Sequence, residues 1–393
     1  FDTFNDGNNA FIFGMTPLGV QREGLITNGG ATIRDYQFSW DAKWQGEAYI
    51  GDGYYSLEMS IPFNSLKFEN NATRWGFRVH RFDMQTNETS VWVPIPQNQI
   101  LGSLAFTGDL LFEQPLSDSK TSVALIPFLT AGSSQDFENA TPKSSFSSIG
   151  GDVKIPVGKG MNLDLTFNPD FSQVEVDNFI TNLTRFEVSL PERRQFFIDN
   201  NDLFGAFGGG RDANPFFSRR IGIASDNEGN TIENGITAGM RLTGKLNDKL
   251  RVGVLSIQTE SDLENGIPSN NNSMIALQQK VFSRSNIAAF IINRETSEAE
   301  NTDYEKYNRV IGIDYNLASA DNTYVGKFYT HKSLSPNDTD GNLSVGTNLQ
   351  YNTRTWSGFL DAIYIDEEFT SDLGFIPRKG ILKWGGKIGY RIW

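Results

Sequence analysis

NPDFSQVEVDNFITNLTRFEVSLPERRQFFIDNNDLF, residues 168–204, differs from the sequence on either side of it. The flanks read as short alternating strands between turns. Here the alternation weakens, and charged and aromatic side chains crowd together. Asp170, Glu175, Asp177, Arg185, Glu187, Glu192, Arg193, Arg194, Asp199 and Asp202 stand among Phe171, Phe179, Phe186, Phe196, Phe197 and Phe204. An unpaired buried charge is costly, so such a mixture orders only if its charges pair or stay wet. Two readings follow: an irregular polar loop, or an ordered segment packed inside something larger.

From this segment outward, residues 114–393 repeat hairpins. Met161, Leu163, Leu165 and Phe167 alternate with Asn162, Asp164 and Thr166. Ile236, Ala238, Met240 and Leu242 alternate with Thr237, Arg241 and Thr243. Leu382, Trp384, Ile388, Tyr390 and Ile392 alternate with Lys383, Lys387 and Arg391. Period-two alternation gives a strand with one apolar and one polar face. The connections alternate as well. Tight turns fall at 158–160, 247–249, 284–285, 318–321 and 352–353, and long polar loops at 261–273, 296–306, 332–341 and 366–380. Short connections on one side and long ones on the other are the pattern of a transmembrane β-barrel. The expectation places the apolar row of 382–392 toward lipid and its basic row toward the lumen. Turn parity is satisfied if 184–190 and 219–224 supply two further strands.

Residues 1–113 also read as antiparallel β. Leu57, Met59 and Ile61 alternate with Ser56, Glu58 and Ser60, and Trp75, Phe77 and Val79 with Arg74, Arg78 and His80. Turn signals at 5–7, 28–30, 51–53 and 70–71 separate the strands, as in a β-sandwich. Trp40, Trp44, Trp75 and Trp92 lie here. Indole faces stack on sugars, which makes Trp40 and Trp44 candidate glycan contacts, against the alternative of core packing.

The whole is therefore expected to be all-β: a sandwich over 1–113 and an antiparallel transmembrane barrel over 114–393, with 168–204 as a plug-like segment. The 393 residues include no cysteine, which excludes disulfides and thiolate metal sites. A net charge of −13 argues against nucleic acid as a partner. No apolar run reaches the roughly 20 residues of a membrane helix, a limit that does not apply to barrels.

The segments 168–175, 182–187 and 191–197 closely resemble the signature of a Bacteroidetes-type family of outer-membrane proteins. These combine an N-terminal domain like a family-9 carbohydrate-binding module with a β-barrel of unassigned role. FTSDLGFIPRK at 369–379 resembles a second recurrent segment of that family. WDAKW at 40–44, then 52–68 and 74–81, resembles the second half of the carbohydrate-binding module. The resemblance implies an N-terminal domain in the periplasm, outer-membrane lipid around the barrel, a barrel continuing beyond this length, and a glycan or further outer-membrane subunits as partners.

Catalytic signatures are sparse. The histidines are His80 and His331, with no Gly-x-Ser-x-Gly elbow and no His-Glu-x-x-His. Acidic residues of 168–204 could form a glycosidase pair, or Asn168, Asp170 and Asp177 a calcium site. Arg185, Arg193 and Arg194 instead offer salt-bridge partners for Asp170, Glu175, Asp177, Glu187 and Glu192. The leading expectation is a non-enzymatic barrel protein acting in transport or in an outer-membrane complex. Glycan capture and glycoside hydrolysis are the alternatives.

Overall fold

The computed structural model describes residues 1–38, 40–117, 123–135, 143–158, 160–169, 192, 194–210, 212–229, 231–302, 304–336 and 340–392. The chain is all-β. Its N-terminal unit holds β1 (Ala10–Met15), β2 (Gln21–Ile26), β3 (Tyr36–Gln37), β4 (Gln45–Gly51), β5 (Tyr54–Ser60), β6 (Ala72–Phe77), β7 (Val79–Asp83), β8 (Glu88–Trp92) and β9 (Gly108–Leu116). They pair as β1-β2-β3, β4-β5, β6-β9 and β7-β8, small antiparallel sheets rather than two broad layers. Trp40, Leu66 and Trp75 form their shared core, with Phe11, Phe13 and Phe112 packed around it.

The larger unit begins with β10 (Ala124–Ser134), β11 (Ser144–Val157) and β12 (Met161–Phe167). A small hairpin follows, β13 (Ile223–Ser225) with β14 (Thr231–Glu233). Then come β15 (Ile236–Lys245), β16 (Leu250–Thr259), β17 (Asn270–Val281), β18 (Ser285–Thr296), β19 (Tyr307–Ala318), β20 (Tyr324–Leu334), β21 (Leu343–Asn352), β22 (Trp356–Ile365) and β23 (Ile381–Tyr390). Twelve of these form one antiparallel meander in the order β10-β11-β12-β15 and onward to β23. The sheet is open, with β10 and β23 at its edges. β12 pairs directly with β15, Met161 opposite Gly244. Residues 219–224 therefore do not enter the sheet as a strand; they form a 3-10 turn and the start of the hairpin. The other expected strand, 184–190, lies outside the described residues. Parity needs neither, because β12 and β15 alone return the chain to the same end.

Adjacent residues define the two faces. In β18, Ile291 is 54% exposed and Ile292 is fully buried. The outward row continues through Ile275, Ile287, Ile313, Phe328, Val345 and Leu360, all exposed. Leu382, Trp384 and Ile388 lie opposite Tyr364, Ala362 and Gly358, so the apolar row of β23 shares this outer face, as the alternation implied. One position departs from the alternation. A register shift between Ile236 and Ala238 turns Ile236 inward, where it is buried, while Met240 stays out. An extra residue in one strand of a ladder does this.

The tight turns gather at the end of the sheet that meets the N-terminal unit. Lys245 bonds Asp6 at 2.5 Å. Arg284 donates to the Gly7 carbonyl at 3.2 Å and the Gly29 carbonyl at 3.0 Å. Asn322 donates to Ser103 Oγ at 2.7 Å, and Asn98 and Asn352 exchange side-chain to backbone bonds. The long connections lie at the opposite end. One of them, 366–380, is not the free polar loop expected. Phe369 and Leu373 are buried in the main core and Phe375 is buried against Phe217, because three apolar side chains in this stretch have a surface to cover.

Candidate functional site inside the sheet

The inner face of the sheet is filled by two segments, 192–222 and 366–380. The first includes two one-turn helices, α1 (Gln195–Ile198) and α2 (Asp202–Gly205). Phe196, Phe197, Leu203, Phe204, Phe207 and Phe216 pack there on Leu255, Met274, Phe290, Ile292 and Val310 of the strands. Each fully buried side chain of this kind contributes roughly 1.5–3 kcal/mol. The second segment docks on the first. Phe375 and Asn214 exchange backbone bonds, Ser371 Oγ donates to the Pro215 carbonyl at 2.6 Å, and Arg220 Nε donates to the Gly374 carbonyl at 3.0 Å.

Ion pairs fasten this filling. Glu192 and Arg194 form a two-point pair: Nε to Oε1 at 2.9 Å and Nη2 to Oε2 at 2.7 Å. Arg194 also donates to the carbonyls of Ile221 and Ser218, at 2.6 and 2.7 Å, and lies 4.3 Å from the Phe197 ring centroid. Burial pushes the Glu192 carboxyl up, but the Arg194 bonds and charge, with a 2.6 Å bond from Ser218 Oγ, outweigh it and hold the carboxyl below its usual range. A planar guanidinium holds a carboxylate in this way and an ammonium does not.

A ladder of charge crosses the neighbouring strands. Lys154, Asp164 and Arg241 stand side by side on β11, β12 and β15. Arg241 pairs with Asp164 at 2.7 Å, both buried, and donates to the Asp199 carbonyl at 2.8 Å. Lys154 pairs with the Asp199 carboxylate at 3.1 Å, and Arg251 with Asp202 at 2.5 Å. Farther along, Asp314 of β19 is fully buried. It bonds His331 Nε2 at 2.7 Å, accepts from Gly208 N at 2.8 Å, and lies 3.4 Å from Lys327 Nζ. The His331 ring packs 4.9 Å from Phe290, and a Cβ at Gly312 would meet both rings, which is why glycine stands there. At Gly208, φ is +70° and a Cβ would strike the Ala213 carbonyl.

Among the residues expected to carry function, Glu192 and Arg194 come together. Asn168 follows β12, and its amide donates to Ser148 Oγ at 3.0 Å and the Ile149 carbonyl at 2.8 Å. Asp170, Glu175, Asp177, Arg185, Glu187 and Arg193 lie outside the described residues. No group of three or more metal-ligating side chains occurs among the described residues. Trp40 and Trp44 are both buried, with rings 5.1 and 5.5 Å from Phe11 and Phe13 respectively, so neither is presented on the outer surface. Trp44 Nε1 is spent on Glu23 at 3.0 Å.

Asp164, Arg241, Arg251, Asp314 and Lys327 were missed. Each is an ionisable side chain on the inward parity of a strand, a signal that only the register turns into pairs.

The arrangement is a folded segment clamped by charge and packed by phenylalanine against one face of the sheet. A comparison with curated proteins finds no match. A domain of unknown function, DUF5916, matches residues 119–393, which takes in the whole twelve-stranded sheet and both filling segments. The chain belongs to the DUF5916 family.

Proposed function

We propose that the twelve-stranded sheet belongs to a stoppered outer-membrane β-barrel of the Bacteroidetes type, whose N-terminal unit, similar to a family-9 carbohydrate-binding module, sits in the periplasm. Closure joins β10 to β23, directly or through further strands. The protein's role is non-enzymatic, in transport or as a subunit of an outer-membrane complex.

The outer face carries this reading. A water-soluble sheet hides its apolar face, yet here Ile275, Ile291, Ile313 and Val345 lie exposed in one band. Aromatic pairs border it at the tight-turn end: Tyr324 with Tyr351 at 5.1 Å and Trp356 with Tyr390 at 4.8 Å. Tyr364 stands at the other end of β22. From Trp356 to Tyr364 the strand runs about 27 Å at ~3.4 Å per residue. A tilt of about 40° brings that to ~20 Å, close to the roughly 25 Å apolar belt of outer-membrane barrels. The N-terminal unit joins the tight-turn end, the periplasmic side in such proteins.

The absence of cysteine makes the test direct. Asp340→Cys, in a long connection, is expected to react with a membrane-impermeant maleimide on intact cells. Thr86→Cys, in the N-terminal unit, is expected to react only after the outer membrane is opened. The reverse pattern refutes the orientation, and equal labelling of a freely soluble protein refutes the membrane reading.

A further inference from the structure

Between the N-terminal unit and the tight-turn rim lies a cavity of about 630 Å³. That is the size of a site for a small organic molecule. Its wall on the N-terminal side is apolar and aromatic, with Phe4, Phe11, Leu25, Trp40, Leu66 and Phe68. Its floor is charged, and the charges can be accounted for. Lys245 pairs with Asp6 at 2.5 Å, Lys154 with Asp199 at 3.1 Å, and Arg251 with Asp202 at 2.5 Å. Lys43 and Asp41, both exposed, also line the cavity and offset each other in charge. That leaves Lys67, and no carboxylate of the described residues lies within 4.0 Å of its Nζ.

Lys67 is enclosed by protein, yet much of its surface faces the open volume of the cavity. Burial is the largest influence on its amine and pushes the pKa down, against the opposing pull of Asp199 and Asp164. With its amide turned to make both available bonds, Asn162 accepts from Nζ at 2.5 Å. An ammonium has three donors, so two remain for a guest. Its own backbone is fixed, the carbonyl accepting from Thr3 Oγ1 at 2.5 Å.

We propose that this cavity binds a small monocarboxylic acid with an apolar or aromatic body, its carboxylate on Lys67 and its body against the Phe11, Trp40 and Phe68 wall. A neutral sugar would leave the Lys67 charge uncompensated. A dianion would overshoot, since Lys154, Lys245 and Arg251 are paired and the Lys43 charge is offset by Asp41. One negative charge on an apolar body balances both halves of the site. The proposal goes beyond the membrane reading and does not depend on it.

The test is calorimetric titration of the purified protein in detergent with 3-phenylpropionate and its neutral counterpart, 3-phenylpropan-1-ol. The acid is expected to bind one to one and the alcohol at least tenfold more weakly. Lys67→Met is expected to weaken the acid at least tenfold, and Lys67→Arg to stay within threefold. Equal binding of acid and alcohol overturns the proposal, as does acid binding indifferent to Lys67→Met. Competition by acetate or inorganic phosphate as strong as that of the acid also overturns it, because the aromatic wall would then play no part. Failure of every acid from phenylacetate to 6-phenylhexanoate marks the cavity as a packing gap. Should Lys67→Met not fold, acylation of Lys67 in the unsubstituted protein, read by mass spectrometry, replaces it. The acid is expected to slow that reaction at least fivefold, and equal slowing by the alcohol, or none by the acid, refutes the site.

Discussion

Replacing Arg194 by alanine asks whether the filling of the sheet is held by charge. The side chain is 10% exposed and that of Glu192 is 6%, so screening by water is small. The substitution removes both arms of the ion pair and the donors to the Ile221 and Ser218 carbonyls. Among the described residues Glu192 keeps the Ser218 hydroxyl and the Arg194 backbone N–H. Removing one partner of a buried pair costs about 3–5 kcal/mol, mostly as the penalty of the charge left behind. That loss falls on one segment. The strands keep their ladder, so the change is local opening rather than unfolding of the sheet. At about 1.4 kcal/mol per factor of ten, amide hydrogen exchange over 194–222 should speed up by roughly 10²–10⁴-fold. Exchange in β17 to β19 should hold steady. Arg194→Lys should recover only part of the protection, because an ammonium cannot hold both carboxylate oxygens and both carbonyls in one plane. Exchange over 194–205 within threefold of the parent would refute the clamp. A uniform rise across all strands would show that Arg194 supports the sheet and not the filling.

Three other outcomes follow from the same geometry. Ile291→Lys, outward in the middle of β18, should cost roughly 2–4 kcal/mol in urea titrations of the protein in lipid vesicles if it sits near the bilayer midplane; a change under about 0.5 kcal/mol is what an ordinary wet surface gives and would count against lipid contact. Asp314→Asn strips the countercharge from Lys327 and should destabilise by roughly 3–5 kcal/mol, with Lys327→Met on top restoring part of it; a double variant no better than the single one would remove Lys327 from the account. Burial raises Asp35 to about 6, its Thr32 bonds opposing, so the folded unit holds its proton more tightly than the unfolded chain does. Its contribution therefore strengthens as pH falls from 7 through 6 toward 4, by about 3 kcal/mol at most, and Asp35→Asn should abolish that part of the pH slope in thermal melts of the N-terminal unit. An unchanged slope would assign it to other groups.

How far the sequence could be read depended on how local each feature is. Alternation is local, and it separated the inner and outer rows of β12 and β23. It failed at Ile236, where a bulge changes parity, because a single extra residue leaves no compositional mark. Ion pairs are not local. Asp164 and Arg241 are direct cross-strand partners, but 77 positions separate them, and nothing in either strand announces that β12 pairs with β15. The segment 366–380 misled for a different reason: its polar residues are many, while Phe369, Leu373 and Phe375 are spaced with no strand or helix period. Yet the filling does leave a trace in the wall. Where it presses, the strands are apolar on both faces, as in the run from Ile287 to Ile292, whose Ala288, Phe290 and Ile292 point inward and are buried. Where it does not, the inward row turns polar, as with Asn348, Asp361 and Lys387. A strand needs a second apolar face only if something dry covers it. The doubly apolar strands therefore outline the footprint of the filling, and a sequence that holds alternating strands beside doubly apolar ones already says that the inner face of its sheet is covered over one part and wet over the rest.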